Sequence, residues 1–316
     1  MLPLLVIWAH PVRIGRIGEM KIGVIGLGSM GMGAAQSALR AGLAVTGVDP
    51  RQAARDAFVA AGGQAVASAA ELPEGTEAVV VLVVNAAQTE TALFGPDGAL
   101  PRLAQDAVVI SSATMAPDDA RRIAARLEEA GMLPLDAPVS GGAVKAMAGE
   151  MTVMASGSAA AFDRAAPLLA AIATKVWRLG DAPGIGATVK VVHQLLAGVH
   201  IAVAAEAMAL GIRAGADPQQ LYDVVTSAAG NSWMFENRMA RVLAADDAPR
   251  SAVDIFVKDL GLVADMAKGL DFPVPLAAQA QQLFTAAHAL GHGQKDDGFV
   301  IRVWQAMTGI KLPGEA

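Results

Sequence analysis

Between residues 21 and 180, short apolar, β-branched runs alternate with stretches whose apolar positions recur every three to four residues. The runs at 22–25, 44–48, 65–67, 78–84, 107–111, 133–137, 151–155 and 175–178 read as strands. The run at 78–84 is continuously apolar, as expected of a strand covered on both faces. Helices fill the gaps. One follows a glycine turn and ends near Gly42, and a second stops at Gly62 and Gly63. Ser68 and Glu71 stand at capping-box spacing for another, and Asp118 and Asp119 fall in the first turn of a fourth. This alternation predicts an α/β fold with a doubly wound, mainly parallel sheet. The pattern changes after Gly180. Residues 185–214 read as one long helix closed by Gly215, and Asp217–Pro218 as the N-cap and first residue of the next. Further helices are expected near 232–242, 255–269, 277–290 and 297–308, with no strand among them.

The 316 residues suffice for two domains. A chain that is 54% hydrophobic and 17% charged folds rather than staying disordered. Its net charge of -6 argues against nucleic-acid binding. With no cysteine, disulfide scaffolds, Cys-ligated zinc and thiol chemistry are excluded, and no metal site is expected; the composition is compatible with the cytoplasm. The longest uncharged stretch, 191–205, falls short of the roughly 18 residues that span a bilayer. It is better read as buried in the protein or in a homo-oligomer, a dimer or tetramer. Residues 1–19 make a poor signal peptide, with no basic residues ahead of the apolar run. Met20 directly precedes the first strand, so residues 1–19 are expected to be an extension and Met20 the natural start.

Chemistry begins at the first glycine turn. Gly26, Leu27, Gly28, Ser29, Met30 and Gly31 follow a strand and open a helix. Gly26 permits the tight turn, Gly28 lets the backbone approach a pyrophosphate, and Gly31 allows close helix packing. The helix start then offers free N–H groups to the phosphates. Asp49 ends the second strand, where a carboxylate receives the adenosine ribose hydroxyls and repels a 2′-phosphate. The implied cofactor is therefore NAD. Arg51 is the counter-signal, as a partner for a 2′-phosphate or an exposed helix-start residue. The expected layout is a Rossmann-like NAD-binding domain at 20–182 and an all-α substrate and oligomerisation domain at 183–316, joined by the long interdomain helix.

Lys190 is the only charged residue between Asp181 and Glu206. His193 and Gln194, three and four residues on, share its helical face. Burial favours the neutral amine, the form that accepts a proton. The plainer alternative is a lysine reaching the surface beside two incidental polar residues. His200 fits a core or interface position. Ser140, Gly141 and Gly142 follow a strand, and backbone N–H groups there either receive a carboxylate or simply close a tight loop. Lys258 opens a later helix, placed either at the cofactor or in solvent.

Together these motifs resemble the β-hydroxyacid dehydrogenases, the family of 3-hydroxyisobutyrate dehydrogenase and tartronate semialdehyde reductase. The resemblance runs from Lys21 to about residue 310 and is carried by GLGSMG at 26–31, DAPVSGGAVKAMAG at 136–149, GIGATVK at 184–190 and KDL at 258–260. It implies that Ser140, Gly141 and Gly142 hold the substrate carboxylate, that Lys190 is the catalytic lysine, and that Lys258 lines the cofactor. It places Val84, Asn85 and Thr114 near the cofactor as well. Where most members carry two asparagines after the lysine, this chain has His193 and Gln194, and Ala113 replaces a serine. The segments at 189–210, 231–239 and 251–265 are similar to the L-threonate dehydrogenase subgroup, which oxidises C2 of a four-carbon polyhydroxy acid to 2-oxo-tetronate. The implied partner is a small sugar acid. His193 and Gln194 would then orient its hydroxyls or the lysine. Asn231, Ser232, Trp233 and Phe235 are placed either at its far end or in the domain core. The alternatives are a 3-hydroxyisobutyrate dehydrogenase, a tartronate semialdehyde reductase, or a non-catalytic nucleotide-binding protein. Imine reductases share the implied fold but commonly lack the lysine.

Overall fold

The structure, a computed structural model, describes residues 20–315. The expectation of an N-terminal extension falls on residues 1–19, outside the described residues. Contacts divide the chain into two compact units, one ending at Lys190 and the other beginning at Val191.

In the first unit, β1 (Lys21–Ile25), β2 (Ala44–Val48), β3 (Gln64–Val66), β4 (Thr76–Val81), β5 (Leu103–Ser111) and β6 (Leu133–Asp136) form a parallel sheet in the order β3-β2-β1-β4-β5-β6. β7 (Val139–Ser140), β8 (Met151–Gly157) and β9 (Ala173–Gly180) extend it, with β8 antiparallel to β6 and β7. Helices α1 (Ser29–Arg40), α2 (Gln52–Ala60), α3 (Ala86–Phe94), α4 (Pro117–Glu129), α5 (Gly142–Ala148) and α6 (Ala159–Ile172) complete the unit. The central strands bury both faces. Val24, Val80 and Ile110 pack on the side of α1 and α6, and Val79, Val81 and Val109 on the side of α4. That two-sided burial is why these strands read as unbroken apolar runs.

Three expectations need correction. The run at 78–84 leaves the sheet at Val81, because Asn85 caps α3 and the chain must turn to reach it. The capping box at Ser68 forms, with the Glu71 carboxylate accepting from the Ser68 N–H at 3.0 Å, but it opens only one 3-10 turn. Leu72 precedes Pro73 and is held extended, which ends the helix at once. Residues 139–148 form a two-residue strand and helix α5 instead of a tight loop. Helix α5 lies on α1 so closely that a Cβ on Gly33 would sit 2.6 Å from the Ala146 backbone.

Helix α7 (Ile185–Arg213) begins in the first unit and continues into the second. The second unit adds α8 (Pro218–Thr226), α9 (Trp233–Leu243), α10 (Val253–Gly269), α11 (Pro275–Ala287) and α12 (Arg302–Thr308), with short 3-10 and π turns. No strand is found there among the described residues, beyond an isolated bridge between Ala252 and Asp296. At 29 residues, α7 is long and apolar enough to cross a membrane by those two measures, contrary to the expectation from its uncharged stretch alone. Ala197, Ile201, Ala205 and Met208 on it are instead core residues, packed with Phe235, Phe256, Leu260 and Phe284. The second unit is thus organised around α7.

Candidate active site

Strand order reverses between β1 and β4, the switch point at which open α/β sheets bind ligands beyond the carboxyl ends of their strands. The glycine turn is placed there. Gly26 has φ +93°, a conformation that favours glycine, and a Cβ on it would lie 2.7 Å from Leu82 O. Gly31 packs so tightly that a Cβ would come within 1.7 Å of Gly26 O. Gly28 is the N-cap of α1 and offers no side-chain cap, and a Cβ there would project into open space. Ser29, Met30 and Gly31 form the first turn, whose N–H groups have no intrahelical acceptors. One glycine closes the turn, one packs the helix and one leaves room. This is the shape that a pyrophosphate requires, so the residues present fit a nicotinamide dinucleotide.

Asp49 is buried at the end of β2 and is heavily engaged. It accepts from Leu27 N at 2.9 Å, from Arg51 N at 2.9 Å and from the Arg51 guanidinium through both oxygens at 2.9 Å. Burial pushes its carboxyl up, but the Arg51 and backbone hydrogen bonds outweigh this and hold it below the usual carboxylate range. Arg51 is the exposed residue at the start of α2 and is also Asp49's ion-pair partner. Leu27 is anchored through its N–H, so Asp49 also braces the glycine turn.

The other strand ends supply the remaining positions. Val84 is exposed, and its N–H donates to Gln88 Oε1 at 2.9 Å. Asn85 Oδ1 accepts from Gln88 N at 2.9 Å, which makes it the cap of α3. Thr114 is half-buried in the loop after β5. Ser140 ends β7, Gly141 caps α5 at φ +133°, and Gly142 follows at φ +71°.

Lys190 is 7% exposed, and its Nζ donates to Val139 O at 2.8 Å. The lysine is thereby tied to the residue that precedes Ser140. A second tie comes from Asp136, which ends β6. Its Oδ2 accepts from Gly184 N at 2.8 Å, from Ala187 N at 2.9 Å and from Ser156 Oγ at 3.2 Å, and Ser156 Oγ in turn accepts from Gly186 N at 3.0 Å. Asp136 thus clamps the first turn of α7 and sets where Lys190 emerges one turn later. Burial raises the Asp136 carboxyl above its ordinary range against the pull of those backbone donors. Sequence reasoning quoted Asp136 in a motif without giving it this task.

In the second unit, Gln194 is 7% exposed and Asp259, on α10, is 1% exposed. Gln194 Nε2 donates to Asp259 Oδ2 at 2.5 Å, and His193 Nδ1 lies 2.9 Å from Gln194 Oε1. Lys258 Nζ is 2.5 Å from Asp259 Oδ1. Asp259 stands in the KDL motif at 258–260, where sequence reasoning assigned a role to Lys258 alone. Ser232 caps α9 by accepting from Phe235 N at 3.0 Å, and Phe235 is core, stacked on Tyr222; Trp233 is half exposed. His200 is half-buried on α7.

Residues 21–180 match the family profile described as the NAD binding domain of 6-phosphogluconate dehydrogenase, and residues 184–304 match the NAD-binding domain of NADP-dependent 3-hydroxyisobutyrate dehydrogenase. The L-threonate dehydrogenase of Cupriavidus necator is 56% identical over 295 residues, 93% of this chain and 98% of that protein. That of Escherichia coli K12 is 56% identical over 297 residues, 94% and 97% of the two chains. The chain belongs to the β-hydroxyacid dehydrogenase family. A crystal structure of a family member, the 3-hydroxyisobutyrate dehydrogenase of Salmonella typhimurium, superimposes with a TM-score of 0.86 at 57% identity, covering 89% of this chain and 99% of that one. As a β-hydroxyacid dehydrogenase, the chain is an oxidoreductase that uses a nicotinamide dinucleotide. Gly28 and the first turn of α1 are the residues that would hold the pyrophosphate.

Proposed function

We infer that the chain is an NAD-dependent L-threonate dehydrogenase that oxidises C2 of the acid to 2-oxo-tetronate, with Lys190 as the base. The similarity to enzymes of that name extends over nearly the full length of both chains. The observation that carries the lysine's role is its buried hydrogen bond to Val139 O. A neutral amine has two N–H groups and one lone pair. One N–H can hold the Val139 carbonyl while the lone pair takes the proton of the substrate hydroxyl. The resulting ammonium strengthens the same hydrogen bond, which becomes charge-assisted. The bound dinucleotide supplies the hydride acceptor. Ser140, Gly141 and Gly142 hold the carboxylate in this reading. Two successive glycines at positive φ form the kind of turn whose N–H groups receive an anion. The carboxylate site is then one residue from the carbonyl that holds the base. The Asp49 carboxylate at the end of β2 favours NAD over NADP, and its ion pair with Arg51 holds that guanidinium back from a 2′-phosphate.

The test is NADH formation, followed at 340 nm, with L-threonate, D-erythronate, D-glycerate and 3-hydroxyisobutyrate, repeated with NADP. Turnover selective for L-threonate with NAD is expected. Activity confined to the three-carbon acids or to 3-hydroxyisobutyrate would overturn the substrate assignment.

The same reading includes a homo-oligomer, a dimer or tetramer, in the cytoplasm. Val192, Leu196, Val203 and Leu210 are 50%, 52%, 53% and 68% exposed. With the partly buried Val199 they recur at steps of four, three, four and seven residues along one side of α7. Such a seam suits a second helix. Light scattering after size exclusion should report a dimer or larger, and Leu196→Glu with Val203→Glu should shift it to a smaller species. A monomeric wild type would refute this.

A further inference from the structure

We propose that Asp259 is a positioning residue that sets the tautomer of His193 through Gln194, so that His193 Nε2 accepts a hydrogen bond from a substrate hydroxyl beyond C2. The inference rests on the polyhydroxy-acid reading for its substrate and on geometry within the second unit for its mechanism. Asp259 is almost completely buried and has Lys258 Nζ against one oxygen. A carboxylate in an ion pair has acceptors only. Its other oxygen must therefore receive an N–H, which orients the Gln194 amide with Nε2 toward Asp259 and Oε1 away from it. Oε1 is in turn an acceptor only, so the 2.9 Å contact with His193 requires a proton on Nδ1. A neutral imidazole with its proton on Nδ1 carries its lone pair on Nε2. Each donor and acceptor in the series is fixed by the one before it, beginning at a group that cannot reverse.

His193 lies three residues after Lys190, on the neighbouring turn of the same face of α7. Side chains at this spacing suit adjacent groups of one small substrate. With the C2 hydroxyl at Lys190, the next carbinol is the group offered to His193. An asparagine could either donate or accept at such a position. A histidine held by the Gln194–Asp259 relay offers, while neutral, an acceptor alone. It therefore selects a hydroxyl and discriminates against an analogue lacking one.

The experiment uses the full chain labelled with 15N-histidine, read by long-range 1H–15N correlation above pH 7.5 without substrate. The His193 ring is identified by its loss in His193→Gln. Wild type is expected to show a protonated Nδ1 and an unprotonated Nε2. In Asp259→Asn the new amide can donate to Gln194 Oε1, the glutamine can turn over, and the ring should move to the Nε2–H form or a mixture. Gln194→Met breaks the relay at its middle and should have the same effect, which guards against a folding defect peculiar to Asp259→Asn. Kinetics with L-threonate and its 3-deoxy analogue, 2,4-dihydroxybutanoate, complete the test. Wild type should favour L-threonate through KM, and in His193→Phe that preference should shrink by about tenfold or more. A wild-type ring protonated at Nε2, a tautomer unchanged in both Asp259→Asn and Gln194→Met, or a preference untouched in His193→Phe would overturn the proposal. A wild type inactive on L-threonate would instead refute the substrate reading. The tautomer, read without substrate, would still decide whether Asp259 governs His193.

Discussion

Lys190→Met is expected to lower kcat/KM by about a thousandfold, within the range that general acid–base catalysis contributes, while leaving dinucleotide affinity unchanged. Methionine preserves the length of the side chain but has no nitrogen to take the hydroxyl proton. It also leaves the buried Val139 carbonyl without its donor, which should cost about 1–3 kcal/mol of stability. An inactive variant that stays folded and still binds NAD would locate the loss in proton transfer. Lys190→Arg should fail as well, since a guanidinium stays protonated and has no lone pair to offer. Fluorescence titration with NADH, thermal melting and steady-state rates on the same preparations make the comparison. Turnover within a factor of about ten of wild type would remove Lys190 from the role of base, given the size of that contribution.

The parts of this arrangement legible in the sequence are those with local signals. The glycine turn, Asp49 at a strand end, the long helix and the isolated Lys190 all announce themselves within a few residues. The central parallel strands did so because two-sided burial leaves the runs at 22–25, 78–81 and 107–110 without polar side chains. What escaped depends on partners far along the chain. Asp136 acts on residues about 50 positions away, and Asp259 finds Gln194 at a separation of 65. No periodicity reports such pairs, and Asp259 stood beside Lys258, a residue of more obvious chemistry. Helix α5 was missed for another reason. It has only seven residues, begins between two glycines at positive φ, and is held by close packing on α1 rather than by helix propensity. Asp49 shows the limit of a correct motif. Its place was readable, but its bracing of Leu27 and its full engagement by Arg51 were not.

The second large effect is expected far from Lys190 in the sequence, where two buried aspartates pair with two arginines. Arg238, on α9, makes a two-pronged contact with Asp297, through Nε at 2.5 Å and Nη2 at 2.9 Å. Arg241 Nη1 meets Asp296 Oδ2 at 2.6 Å, and Asn237 Oδ1 accepts from both arginines. Both aspartates are fully buried. Removing one partner leaves the other charge without compensation in a site that water cannot reach. Arg238→Met and Asp297→Leu should each therefore cost about 3–5 kcal/mol. The double variant should recover much of that loss, because neither charge is then stranded. Arg241 and Asp296 stay paired in all three and keep the segment at 296–298 docked, so the comparison isolates one pair. Burial also pushes the Asp297 carboxyl above its usual range, against the attraction of Arg238. A carboxyl raised in the folded state binds its proton more tightly there than in the unfolded chain. Its contribution to stability therefore falls as pH rises from the ordinary aspartate range through the folded value, and is level above it. Asp297→Leu should abolish that slope. Urea midpoints for wild type, both single variants and the double variant, taken between pH 4 and 8, test both claims. Single variants costing less than about 1 kcal/mol would show that the pair behaves like an exposed one, and a double variant no better than the worse single would show that burial of the charges is not what makes the singles costly.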